Sequence, residues 1–278
     1  MSKTTRYLLI GWGIFGLVLA GAYYVQWSPL QELWPWSGGY MNSGDLSRFS
    51  FYFVSSIIAA TALPTLWIGF SGEAAAIKAG AIDLTVMWGG IAIYMLQSYA
   101  SSDNNRLLIG GLVCAGMCAL SVVAFLGSRR FKFQDPRPMP APVRAAFAFF
   151  AVALILVATM LVLKRENTFP WPLRDEVSVV YGWVFFGAAI YFIGGVLVPK
   201  WSNAVGQLLG FLIYDLILIV PFVQHFDVVR DDHRTSLITY TVVLVCSGLL
   251  AIYYLFINPK TRLWRATLSE APTQPAVS

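Results

Sequence analysis

Charge is scarce in this 278-residue chain. Asp, Glu, Lys and Arg make up 12% of it, against 58% for the hydrophobic set. Soluble domains carry about 25% charged residues, so an ordinary water-soluble core and surface is excluded. Cysteine is scarce as well. Cys114, Cys118 and Cys246 all lie inside apolar runs, which argues against a disulfide framework. The two histidines, His225 and His233, fall at the end of one apolar run and in the loop after it. A bis-His haem needs facing histidines within helices, and none exist. A Gly-rich phosphate loop, a nucleophile elbow and an HExxH motif are also missing. No conventional catalytic site and no cofactor is read from these residues.

What is present is long apolar sequence. A bilayer-spanning helix needs about 20 mainly apolar residues. Eight runs qualify, at 7–26, 48–70, 81–99, 107–127, 143–163, 177–198, 204–224 and 235–257. The fold class expected is therefore all-α: a polytopic integral membrane protein with eight transmembrane helices. The first run follows Lys3 and Arg6, as a signal peptide would. It ends in "AYYVQW" without a small-x-small cleavage site and reads as a retained span.

The net charge of +5 does not call for nucleic acid, because the basic residues sit in short loops and tails. With the N-terminus in the cytoplasm, twelve of the 19 basic residues fall on that side and seven on the other. The excess of Lys and Arg places both termini inside, as an even number of spans requires. A bacterial inner (plasma) membrane is the expected location.

The basic, Pro-rich stretch "GSRRFKFQDPRPMPAPVR" divides the chain. Its prolines keep it extended. On either side the halves resemble each other. "ELWPW" follows span one and "TFPWPLRDE" follows span five; "LQSYASSDNNR" closes span three and "VQHFDVVRDDHR" closes span seven. The expectation is a duplicated four-helix unit at 1–127 and 143–257. Residues 128–142 form the cytoplasmic linker, and 258–278 form a partly disordered tail. Four spans is an even number, so the two copies point the same way, like the parallel repeats of some transporters.

Several features have a functional and a plain reading. Cys114 and Cys118 share a face and could bind a soft metal, yet Gly111, Ala115 and Ala119 make the same face a small-residue packing stripe. Trp34, Trp36 and Trp171 could form a ligand platform; the plainer reading is an anchor at the membrane interface. His225, Asp227, Asp231 and His233 are close in sequence, but a solvated outer loop accounts for them. Asp83 reads as the marker of a helix N-terminus, where a carboxylate complements the dipole. Gln97 and Gln224 occupy matching places at the ends of spans three and seven. They would line a vestibule or cap helix ends.

Asp215 stands apart. It lies near the middle of "GQLLGFLIYDLILIVPFVQHF". A charge at the bilayer centre costs about 2.5–3.5 kcal/mol by insertion scales, and no apolar run supplies a Lys or Arg to offset it. Either the carboxyl is neutral, or it faces water or a bound cation. Tyr214, Gln207, Trp88 and Tyr94 are the side chains expected to satisfy it. Together with Gln97 and Gln224 they make the candidate ligand- or ion-binding set. The alternative is a structural Asp hydrogen-bonded inside the bundle.

The reading reached is a small transporter-like or ligand-binding membrane protein, with its site between the repeats and Asp215 as proton or cation acceptor. Its partners would be the lipid bilayer and a small molecule, proton or cation. Two readings compete. One is a non-catalytic subunit of a larger membrane complex, bound to a membrane-protein partner. The other is an intramembrane lipid-modifying enzyme, which would need polar groups converging near one interface.

Overall fold

The computed structural model describes residues 1–36, 47–135 and 137–263. The expected tail, apart from 258–263, lies outside them. The described residues form eight long helices: α1 (Lys3–Tyr24), α2 (Ser47–Ser71), α3 (Ile77–Ser102), α4 (Asn105–Ser128), α5 (Ala141–Val162), α6 (Asp175–Leu197), α7 (Trp201–His225) and α8 (Asp231–Ile252). A π-helical turn, Tyr253–Ile257, extends α8. All eight are long and apolar enough to cross a membrane.

The helix starts correct several of the sequence boundaries. α3 opens at Ile77, with a 3₁₀ turn at Ala74–Ala76 before it. The run "AAAIKAGAID" is modest in hydropathy, but alanine is the best helix former. Hydropathy therefore starts this helix too late. Asp83 becomes the seventh residue of α3, past the first turn, and does not mark its N-terminus.

Side-chain size sets the packing. α1 lies along α2, where a Cβ on Gly13 would stand 2.9 Å from the backbone of Leu66. α3 lies along α4, α5 along α6, and α7 along α8. Between the chain halves, α2 packs on α7 and α3 on α6, while α2 and α3, or α6 and α7, barely touch. Exchanging the first four helices for the last four maps this set of pairings onto itself. α2, α3, α6 and α7 occupy the centre and are the most buried; α1, α4, α5 and α8 flank them and expose apolar faces.

The two ends of the bundle differ. One end bears the N-terminus. There Arg6 donates to the carbonyls of Gly69 and Phe70, and the linker is tied down. The buried Glu73 carboxylate accepts from the backbone N–H groups of Gln134 and Asp135 at 3.1 to 3.4 Å. Met139 N–H donates to the Pro199 carbonyl, and Arg137 reaches the Lys260 carbonyl. The linker is non-helical, as its prolines require, but it is held along the bundle end.

The opposite end is aromatic. The loop at 163–174 folds inward, so Trp171 is 1% exposed and Phe169 2%. This overturns the expectation of an interfacial Trp171. Its indole N–H donates to Ser50 Oγ at 3.2 Å, and its ring packs against Phe49, Phe53, Phe169 and Phe222. The histidines are not solvated either. His233 Nδ1 pairs with the Phe169 carbonyl at 2.7 Å and His225 Nε2 with the Pro170 carbonyl at 3.2 Å. Both rings are buried and fasten the loop from α7 and α8. Trp34 and Trp36 pair with each other beside this plug, at 5.0 Å between ring centroids.

Candidate functional site

Asp215 is the fifteenth residue of α7 and faces α8. It is 5% exposed. The close approach is possible because α8 presents Gly248. A Cβ there would lie 3.4 Å from Asp215 Oδ2 and 3.6 Å from its Cβ. Neither carboxylate oxygen has a hydrogen-bond partner among the described residues. Ser247 adjoins the group, but its hydroxyl donates to the backbone carbonyls of Val243 and Leu244 at 2.7 and 3.3 Å. Its lone pairs are what it can offer, and those suit a proton on the carboxyl or a small cation rather than a bare carboxylate.

Tyr214 is the expected partner that lies closest in the chain, and it points into a ring of aromatics. Its ring meets Phe53 edge-on at 6.2 Å, and Tyr181, Tyr240 and Asp215 are its polar neighbours. The Tyr240 hydroxyl is buried without a partner. A buried polar group left unpaired costs about 1–3 kcal/mol. Asp215 and Ser247, with Tyr214 and Tyr240 on the loop side of them, thus form a line of weakly satisfied polar groups between α7 and α8. Phe169 covers it on the loop side, with its ring 5.2 Å from that of Tyr240.

The other expected members are dispersed. Gln207 is buried elsewhere on α7, where its Nε2 donates to the Tyr191 carbonyl on α6. Trp88 packs in the apolar cluster of Met87, Ile91, Met95 and Cys114 between α3 and α4. Tyr94 stacks on Trp36 at 5.7 Å. Gln97 and Gln224 are exposed. Sequence spacing could not show this, since it fixes the depth of a residue in a span but not the neighbour it faces.

Clefts open at both ends of the described bundle. One, at the aromatic end, is lined by Lys164, Arg165, Glu166, Asp175, Arg230, Asp232 and His233. The other, at the terminus-bearing end, is lined by Trp67, Glu73, Asp135, Arg137, Trp201 and Ser202. Asp215 lines neither. The residues that sequence reasoning missed are Tyr240, Ser247 and Gly248. Ser247 and Gly248 face the acid from another helix and Tyr240 adjoins Tyr214 from that same helix, and such pairings leave no local signature. Among the described residues, no group of three His, Cys, Asp or Glu side chains could hold a metal ion.

The chain matches no family model, no curated protein and no solved structure.

Proposed function

We propose that the chain is an integral membrane protein of transporter-like or ligand-binding type, in which Asp215 accepts a proton or a small cation. One observation carries this reading. Among the described residues the hydroxyl beside this carboxylate, which is 5% exposed, is that of Ser247, and it is given to the Val243 and Leu244 carbonyls, so neither carboxylate oxygen receives a full hydrogen bond. Burying an unpaired charge is far costlier than any packing gain returns. A proton or cation supplies the missing partner.

Membrane insertion in this reading follows from the eight apolar helices and the aromatic-rich loops. The excess of basic residues on the terminus-bearing side puts both termini in the cytoplasm, in a plasma membrane. The pairing of helices, unchanged when the halves are exchanged, supports two parallel four-helix repeats. Asp215 then belongs to the second repeat rather than to the seam between the two. Its counterpart, the fifteenth residue of α3, is Ile91, so the carboxylate is peculiar to one repeat.

The test uses the purified protein in detergent or lipid. Ligands that bind only the native state raise its melting temperature by mass action. Melting temperature is therefore followed across pH and across Na⁺ concentration, for the wild type and for Asp215→Asn. The expected result is a wild-type dependence on one of these variables that Asn at 215 flattens, with the fold retained. An unchanged dependence in the variant sinks the reading. A cysteine at Asn167 reached by an impermeant reagent in intact cells, with one at Gln134 unreached, checks the orientation.

A further inference from the structure

The seam between the two chain halves holds a second carboxylate within a span, Asp83. It is half-buried and sits on α3 against Gly187 of α6. The approach is so close that a Cβ on Gly187 would collide with Asp83 Oδ1 and stand 2.9 Å from the Asp83 carbonyl oxygen. No described residue donates a hydrogen bond to its carboxylate, and no charged side chain is close enough to act on it. α6 then repeats the arrangement along one face. Residues four apart share a helix face, and Gly187, Tyr191 and Gly195 are so spaced. Tyr191 extends toward α7, where its hydroxyl lies 2.9 Å from the place a Cβ on Gly206 would take. Tyr191 and Asp83 are electrostatic neighbours. Gln207 of α7 lies directly on Gly195. It is 1% exposed, and its Oε1 has no partner.

This line of polar groups leads to the terminus-bearing end. Ser202, in the first turn of α7, is 3% exposed with an unpartnered hydroxyl. It also lines the cleft that contains Glu73 and Asp135. From cleft to seam the order of groups is Ser202, Gln207, Tyr191 and Asp83. Each of the last three is seated on a glycine of the helix opposite. Gln207 and Asp83 are each the seventh residue of their helices, α7 and α3, so both halves place a polar group at this level.

We propose that Asp83 is a proton-binding site, reached from the cleft at the terminus-bearing end along Ser202, Gln207 and Tyr191. Ser202 on α7, Gln207 where α7 meets α6, and Asp83 where α3 meets α6 have oxygens with no hydrogen-bond partner among the described residues, and groups so placed are suited to a proton relayed through interposed water. Gln207 Oε1 and the Asp83 carboxylate lack a donor and the Ser202 hydroxyl lacks both a donor and an acceptor among the described residues, while the glycine seats of Gln207 and Asp83 leave little room for a hydrated metal ion. Tyr191 is the titratable group that α6 sets beside Asp83. α4 contributes the Cys118 thiol, engaged with the Thr85 carbonyl at 3.5 Å. On α3 itself, Lys78 is spent on the Phe131 carbonyl at 2.7 Å. The proposal rests on reading the chain as a membrane protein that binds a proton or cation, but not on Asp215.

The experiment is infrared spectroscopy of the full-length protein in lipid, titrated with pH, following the stretch of protonated carboxyl groups. Asp83→Asn is expected to remove one component of that band, and Tyr191→Phe to shift the same component while the protein stays folded. Gln207→Leu is expected to slow hydrogen–deuterium exchange of that component by at least tenfold. A band that Asp83→Asn leaves intact, or that Tyr191→Phe does not move, overturns the proposal. So does a component that Na⁺ abolishes at fixed pH, which would make the site one for a metal cation. Loss of a component in Asp215→Asn but not in Asp83→Asn would leave the reading of Asp215 standing and end this one.

Discussion

The two ends of the bundle are closed by opposite chemistry. At the loop end, Phe169 and Trp171 fold in among Phe49, Phe53, Tyr181 and Phe222, and two histidines fasten the loop by its carbonyls. At the terminus-bearing end, closure is polar: Glu73 grips two backbone N–H groups of the linker, and Ser202 keeps a buried hydroxyl without a partner. Charged clefts lie at both ends, one lined by Lys164, Glu166, Arg230 and Asp232 and the other by Glu73, Asp135 and Arg137. What differs is what lies beneath them: packed rings at the loop end and, among the described residues, an unpaired Ser202 hydroxyl at the other. For the proposed proton relay to Asp83, that difference predicts filling from the terminus-bearing side.

The largest effect is expected from opening the aromatic end. Trp171→Ala removes a fully buried indole and leaves Ser50 without its donor. Large-to-small changes of this kind cost about 3–5 kcal/mol. Thermal unfolding in detergent should show a clear loss of stability, and a cysteine at Ser178 should become reactive to a water-soluble thiol reagent. Wild-type melting with an unreactive Ser178 cysteine would show that the plug neither supports nor seals this end.

A smaller effect is expected at the fastening of the loop. His233→Ala leaves the buried Phe169 carbonyl unpaired, for about 1–3 kcal/mol. His233→Asn, which can still donate, should recover part of that stability. If the two variants melt alike, the hydrogen bond is not what holds the loop.

At the polar end the expected change is smaller still and local. Glu73→Gln retains an acceptor but loses the charge, and hydrogen bonds to charged groups contribute about 1.5–3 kcal/mol against roughly 0.5–1.5 for neutral ones. The cost is therefore about 1 kcal/mol. Its readout is faster proteolytic cleavage between 129 and 140, with the helices left intact. Cleavage at the wild-type rate would mean that the linker is held by its other contacts, at Pro199 and Lys260.

Much of the fold was legible because hydropathy reports directly on helices that need no partner to be recognised. Eight apolar runs become eight helices. Alanine-rich sequence hid the start of α3, and with it the position of Asp83 nearly two turns into the helix. The site was less legible. Asp215 stood out because a lone acid in an apolar run is anomalous whatever its neighbours. Its surroundings were hidden, because Gly248 and Ser247 are contributed by another helix and neither is unusual there. Trp171 misled for a related reason. A Trp between prolines has the composition of an interfacial anchor. Distant partners hold the loop inward: two histidines, 55 and 64 residues beyond the carbonyls they meet, and Ser50, which takes the indole N–H.

The smallest expected effect lies between the two ends, at Gly248. An alanine there would place its methyl 3.4 to 3.8 Å from the Asp215 side chain, which is ordinary van der Waals contact. The backbone is helical, so no strain opposes the change, and alanine exceeds glycine in helix propensity by up to about 1 kcal/mol. Gly248→Ala should therefore melt within about 1 kcal/mol of the wild type, measured by thermal unfolding. Gly187→Ala differs sharply, because its methyl meets the backbone of α3 and the Cβ of Met87 at 3.0 Å; overpacking of this kind costs about 1–3 kcal/mol. The two substitutions are chemically identical and differ only in what the methyl meets. What Gly248→Ala should alter is the space beside the carboxylate, since the methyl takes the place next to Asp215 Oδ2. If Asp215 binds a proton or cation as proposed, the pH or Na⁺ dependence of melting should then be reduced. A Gly248→Ala protein as unstable as Gly187→Ala would mean that α8 lies closer to Asp215 than the structure places it. The carboxylate would then be a packing element with no room for a ligand.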